Sequence, residues 1–268
     1  RTVESLVAEA KSLADQGTKE LIVVAQDITR YGLDLTGKRM LPQLLTELCK
    51  LPFPWIRLHY LYPDEFTDEL IEVIANEPKI LKYLDIPIQH ANDKLLRAMN
   101  RRGTKAEIMA LFEILRARIP GLVIRTSLIT GLPGEGEAEF EELCDFLRWA
   151  KLERAGIFPF SPQEGTPAFD MPGQVGEVEA VRRAELLVEL QSRVMDEYNE
   201  QRLGTTLEVL CEGFDAAAGC YAGRSYADSP DVDGHVYFTA AGRVPEGELV
   251  RVRITGTTDG DLTGEMED

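Results

Sequence analysis

The sequence predicts an α/β protein, a parallel sheet wrapped by helices, followed by a small all-β barrel. Three observations carry this expectation. From residue 1 to about residue 160, helical periodicity alternates with short apolar runs, which is the pattern of repeated βα units. A Pro/Gly-rich linker from Pro162 to Gly176 and one long helical stretch, about Glu177 to Gln201, then break the alternation. After Gly204 short β-rich runs between Gly/Asp turns take over. The expected domains are therefore residues 1–204 and 205–268.

The opening segment calibrates the helices. Val3, Leu6, Val7, Ala10, Leu13 and Ala14 recur at three- and four-residue steps, and Gly17 stands where a helix C-terminus favours glycine. Strands are expected at Leu21–Ala25, Ile56–Leu61, Tyr83–Ile88, Val123–Thr130 and Ala155–Phe160. Between them lie helix-like stretches at Leu41–Lys50, Thr67–Asn76, Lys105–Ile119 and Glu137–Lys151. The barrel is expected from Thr206–Cys211, His235–Thr239 and Leu249–Ile254. A helix at Arg1 with no strand before it reads as a chain entered in the middle of a βα unit.

Composition narrows the classes. With 44% hydrophobic residues in 268, the chain can bury a sizeable core and is no disordered tail. No apolar run approaches the roughly 18 residues of a membrane span, and no signal segment opens the chain, so a cytoplasmic protein without membrane association is expected. The net charge of −17 favours basic partners over phosphate backbones. Of this, −9 falls on residues 205–268, which carry thirteen acidic and four basic side chains. Cys49, Cys144, Cys211 and Cys220 have neither disulfide nor zinc-ligand spacing.

The strands are too polar for a barrel packed solidly with aliphatic side chains. At period two, Arg57 shares a face with His59, Asp85 with Gln89, and Arg125 with Ser127, while Ile56, Leu58, Leu84, Ile86, Ile124 and Leu128 take the other face. Unpaired buried charge is costly, so the polar face either pairs internally as an Arg–Asp network or lines a ligand-filled lumen. Polar and glycine motifs past the strand ends favour the lumen: Gln26-Asp27 with Tyr31-Gly32, Pro87-Ile88-Gln89-His90, Thr130-Gly131-Leu132-Pro133-Gly134-Glu135, and Phe160-Ser161 to Gly165-Thr166. The glycine stretch is not a phosphate cradle. Glu135, Glu137 and Glu139 would repel a polyphosphate and no Gly-Lys-Ser/Thr follows, so a nucleoside edge is the better expectation. No Gly-x-Ser-x-Gly elbow occurs, and no lysine falls within the five expected strands to form an aldolase-type Schiff base.

These strand-end motifs, together with Arg57-Leu58-His59-Tyr60 and Arg125-Thr126-Ser127, resemble in order and spacing the radical S-adenosylmethionine methylthiotransferases. The resemblance covers the whole chain. It implies a partial, TIM-like radical-SAM barrel holding S-adenosylmethionine and a [4Fe-4S] cluster, with a C-terminal TRAM barrel of OB-like kind that helps to bind substrate. The segment Gly223-Arg224-Ser225-Tyr226-Ala227-Asp228-Ser229-Pro230-Asp231-Val232-Asp233-Gly234 resembles the branch that methylthiolates an aspartate β-carbon in small-ribosomal-subunit protein S twelve. The alternatives are the tRNA-adenosine branch and, for this chain alone, a protein-binding module without chemistry.

From the resemblance follow the expected roles. Gln26 and Asp27 are expected near the methionyl amine, Gln89 at the ribose hydroxyls, Arg125 at the carboxylate, and Gly131, Pro133, Gly134 and Phe160 near the adenosine. Arg57, His59, Asp228, Asp231 and Asp233 are expected to face substrate, a basic ribosomal protein rather than tRNA. The family's Cys-x3-Cys-x2-Cys cluster motif is missing from this sequence, no three of the four cysteines lie on one loop, and no metal ligand is expected in this chain.

Overall fold

A computed structural model describes residues 1–267 and divides the chain into two compact units, Arg1–Gln191 and Ser192–Asp268. The division at 191/192 falls inside the long helix that joins them.

In the first unit α1 (Val3–Asp15) leads into β1 (Glu20–Val23), a short α2 (Leu33–Thr36) and α3 (Leu41–Cys49). There follow β2 (Trp55–Leu58), α4 (Asp68–Asn76), β3 (Ile80–Asp85), α5 (Asp93–Ala98) and α6 (Lys105–Arg118). The unit then runs through β4 (Val123–Thr130), α7 (Glu137–Ala150) and β5 (Arg154–Pro159) into the long α8 (Glu177–Glu200). The five strands form one sheet in sequence order, every pairing parallel. Local chemistry starts the helices: the Thr2 and Thr67 hydroxyls accept from Ser5 N and Leu70 N, and Thr104 with Glu107 closes a capping box. Ile56, Leu58, Leu84, Ile86, Ile124 and Leu128 enter the core beneath Leu45, Ile74, Phe112, Leu143 and Leu147 of the helices.

Strand boundaries shift by a few residues, for a reason visible in the backbone. β2 stops at Leu58 because Tyr60 takes a left-handed φ of 60°, and β3 stops at Asp85, before Pro87, which has no N–H to give a ladder. β3 also starts three residues earlier than expected and so contains Lys82. The expectation that no strand holds a lysine is therefore corrected. Lys82 does not supply a Schiff-base amine at the sheet's interior, however: its Nζ donates to the carbonyls of Ile74 and Glu77 at the C-terminal end of α4. Burial lowers its pKa, opposed by the Cys49 and Glu77 charges.

The polar face is largely paired within itself. Arg57, wholly buried, donates through Nε to Glu20 at 2.6 Å and lies with its guanidinium carbon 4.6 Å from the Tyr83 ring centre. Arg125 Nη1 donates to Asp85 Oδ1 at 2.8 Å, and Asp85 Oδ2 accepts from Tyr60 N at 3.2 Å. Lumen and ion-pair network are thus both present: Glu20, at the start of β1, pairs Arg57, and Asp85, at the end of β3, pairs Arg125 beside the strand C-termini.

The second unit closes into a five-stranded barrel of β6 (Thr206–Asp215), β7 (Cys220–Ser225), β8 (Val236–Thr239), β9 (Leu249–Thr258) and β10 (Asp261–Met266), in the order β10-β8-β7-β6-β9. Its core is Val209, Cys211, Val236, Phe238, Val250, Val252, Ile254 and Leu262. The sequence reading misses β7 and β10. Glycine, arginine and acidic residues dilute their alternation, and pairing on both sides compensates for poor strand propensity. Gly223 is where β7 crosses β6 closely: a Cβ there would lie 2.5 Å from the Leu210 carbonyl oxygen.

Candidate functional site

The C-terminal ends of β1, β2 and β3 surround a cleft of ≈ 400 Å³ lined by Val24, Ala25, Gln26, Tyr60, Tyr62, Pro87, Gln89 and Arg101. Two of its residues are held in a conformation that costs L side chains about 1–3 kcal/mol each. Gln89 has φ 71°, yet its N donates to Ser127 O and its carbonyl accepts from Ile129 N, so β4 grips it as though it were strand. Tyr60 has φ 60° and is fixed by Asp85, while its carbonyl accepts from Ile28 N. Backbone strain at two strand ends facing one cleft marks a site whose geometry is set by something other than folding stability.

A larger groove of ≈ 610 Å³ runs along β1 between α1 and α3. It is lined mainly by aliphatic residues such as Leu6, Leu13, Leu41 and Leu44. The smaller cleft is the better candidate, because parallel α/β sheets place ligand sites at strand C-termini and there it presents amides, phenols and a guanidinium together.

Of the expected cofactor residues, the structure brings Gln26 and Gln89 into this cleft. Asp27 turns away along the β1 groove, its Oδ1 accepting from Thr29 N and Thr29 Oγ1. Arg125 is held by Asp85. Pro133 lines a separate ≈ 320 Å³ pocket with Leu95, Asn100 and Met171, and Phe160 donates its N–H to Thr130 O. Gly131 is required by packing: with φ 75°, it sits where a Cβ would come within 2.3 Å of Ala180 Cβ on α8. Gly134 donates its N–H to Gly173 O in the linker.

The loop after β4 is pinned by Glu135. Its fully buried carboxylate accepts from Gly131 N at 2.9 Å and from Arg183 Nη1 of α8 at 2.8 Å, with His90 Nε2 at 3.3 Å from Oε2. Burial alone would push this carboxyl up, but His90, the Gly131 N–H and Arg183 together outweigh it and hold the pKa below its ordinary value. His90 Nδ1 accepts from Asn92 N, which leaves the ring proton on Nε2, toward Glu135. This is a brace, not an acid–base pair open to ligand.

Among the residues expected to face substrate, His59 is half-buried and stacks on Tyr83 at 6.1 Å, while Arg57 is inaccessible. In the second unit Asp228 is corrected from a docking residue to an internal cap. It is 2% exposed, and its Oδ2 accepts from Ser225 Oγ at 2.6 Å and Ser225 N at 3.2 Å. Asp233 accepts from Ser229 N, and Asp231 alone of the three is exposed. From sequence these acids read as facing substrate; the Ser225 and Ser229 donors hold Asp228 and Asp233 within the segment.

Sequence reasoning missed Arg101, Tyr62 and the buried Glu65, whose carboxylate receives Arg39 and lies 3.8 Å from Arg30 and 3.4 Å from Arg102. The dibasic Arg101-Arg102 after a short helix was the available signal, but it belongs to no strand end. Among the described residues no group of three His, Cys, Asp or Glu side chains could hold a metal. Cys49, Cys144 and Cys211 are buried, with burial pushing the first two thiols up to about 11, so these cysteines do not fit an iron–sulfur cluster. No helix among the described residues is long and apolar enough to cross a membrane.

Comparison with known proteins agrees with this architecture. The family model described as the Radical SAM superfamily matches residues 1–147, and the TRAM domain model matches residues 203–266. The chain is 49% identical over 267 residues to the ribosomal protein uS12 methylthiotransferase RimO of Pelotomaculum thermopropionicum. It is 46% identical over 266 residues to the protein of that name from Caldanaerobacter subterraneus. In each case 99% of this chain aligns with 60% of the relative, so the chain spans about three fifths of the curated relatives it matches. In solved structures the sheet is similar to coproporphyrinogen III oxidase (HemN) of Escherichia coli, with a TM-score of 0.53 and 15% identity over 71% of this chain and 46% of that one, a likeness of fold alone. The family match takes in every strand end that surrounds the cleft and more than half of the sequence, and the chain belongs to the radical SAM superfamily.

Proposed function

We propose that the protein of which this chain forms part is a methylthiotransferase that modifies an aspartate β-carbon of ribosomal protein uS12 in the cytoplasm, with S-adenosylmethionine as cofactor and a [4Fe-4S] cluster ligated outside the residues present here. One observation carries the reading: the identity of 44–49% to relatives of that name runs through both units, barrel and TRAM domain alike. S-adenosylmethionine, when bound, would supply the adenosyl fragment that activates the carbon and the methyl that is transferred.

The cleft is suited to such a ligand. Gln26 and Gln89 offer neutral amides to an amine and to hydroxyls, the Tyr60 and Tyr62 rings give the cleft aromatic walls, and Asp85, paired with Arg125, holds the backbone of Tyr60 in place. In the barrel Glu208, Glu246, Glu248, Glu265 and Asp231 are exposed, and the net charge of −9 on residues 205–268 favours a basic protein over tRNA.

The test is deletion of the gene followed by mass spectrometry of uS12 and of tRNA. Loss of a methylthio group from the uS12 aspartate, restored by the intact gene, is expected. Loss confined to a tRNA adenosine would refute the substrate assignment and favour the nucleic-acid branch.

A further inference from the structure

We propose that Arg101 is the carboxylate receptor of the cleft, an inference that rests on the functional reading above. It is the one charged residue among the eight that line the cavity, and Gln26 and Gln89 beside it carry no charge to neutralise it. In a chain with 46 acidic side chains it has no carboxylate partner among the described residues, whereas its neighbour Arg102 is shared between Asp64 and Glu65, and Arg39 is held by Glu65.

The guanidinium is nevertheless held in place. Its carbon lies 5.0 Å from the Tyr62 ring centre, and Nη1 donates to Pro87 O at 3.0 Å. Stacking on one side and a single neutral hydrogen bond fix the plane while leaving the charge uncompensated, which prepares a planar fork for a bidentate carboxylate. Arg125, the arginine that motif order assigns to this role, is already neutralised by Asp85.

Two carboxylates could enter the cleft: that of the methionyl moiety of S-adenosylmethionine, and the side chain of the target aspartate. Both present the same planar anion, and binding measurements on the cluster-loaded holoenzyme separate them. Calorimetric titrations of wild type, Arg101→Gln and Arg101→Lys would use four ligands: S-adenosylmethionine, its decarboxylated analogue, a uS12 peptide with the target aspartate, and that peptide with asparagine.

Loss of one charge-assisted pair is expected to weaken one carboxylate-bearing ligand about tenfold or more in Arg101→Gln, and to leave its carboxylate-free counterpart nearly unchanged. Arg101→Lys, which keeps the charge without the fork, should recover part of the loss and provides the readout if the glutamine variant folds poorly. A deficit for S-adenosylmethionine alone identifies the cofactor as the source; one for the aspartyl peptide alone identifies the substrate. Equal weakening of each ligand and its carboxylate-free counterpart, or no weakening, overturns the role of Arg101 while wild-type binding still upholds the functional reading. If wild type binds neither S-adenosylmethionine nor the peptide, both fall together.

Discussion

Replacing Glu135 with glutamine removes one charge from the brace that joins the loop after β4 to α8. The carboxylate is fully buried and accepts two hydrogen bonds, from Gly131 N at 2.9 Å and Arg183 Nη1 at 2.8 Å. Glutamine keeps an acceptor for these donors but forfeits the charge assistance, which is worth about 1.5–3 kcal/mol for a bond to an ionised group. It also turns a second donor toward His90 Nε2. Arg183, 7% exposed, retains Glu179 at 2.8 Å, so the full cost of about 3–5 kcal/mol for orphaning a buried charge is not reached. The expected destabilisation is about 2–3 kcal/mol at neutral pH. Because the folded-state pKa is depressed, this stabilisation is present above the ordinary unfolded value near ~4.3 and is lost as pH falls through the folded value. The gap between wild type and Glu135→Gln is therefore wide at neutral pH and narrows on acidification. Urea unfolding followed by tryptophan fluorescence measures it cleanly, since Trp55 and Trp149 both lie in the first unit and report on it alone. A gap below about 0.5 kcal/mol at neutral pH, or one that acid leaves untouched, would show that Glu135 does not act as a charged brace.

Gly131→Ala places a Cβ 2.3 Å from Ala180 at a left-handed φ, so strain and overpacking together should cost about 3 kcal/mol, a fall of several degrees in the thermal midpoint of the first unit; a loss under about 1 kcal/mol would mean that α8 yields there. In the barrel, Asp228→Ala should cost about 2 kcal/mol through the two Ser225 donors it leaves unpaired, whereas Asp231→Asn should change stability by less than about 0.5 kcal/mol. Differential scanning calorimetry of the second unit's transition separates the two, and equal effects would contradict the internal cap.

The sequence by itself determined the order and kind of nearly every element in the first unit, because burial of an amphipathic helix or a parallel strand leaves a periodic record. β4 begins at Val123 and ends at Thr130 as expected, and α4 and α6 lie within a residue of the stretches Thr67–Asn76 and Lys105–Ile119 expected for them. It also determined that the strands carry charge on one face, and that Gln26 and Gln89 stand at strand ends. Only the tertiary structure decided what the charges do. Arg57 meets Glu20 from 37 positions away and Arg125 meets Asp85 from 40, and no periodicity encodes which acid a given arginine finds. For the same reason Glu135 reads as part of a ligand-approaching loop and proves to be its anchor, Asp228 reads as exposed acid and proves to be a buried cap, and Arg101 passes unnoticed although it carries the cleft's charge. Local patterns report which residues are covered, since covering is repeated along the chain; partner choice among polar groups depends on long-range approach, which only the folded chain supplies.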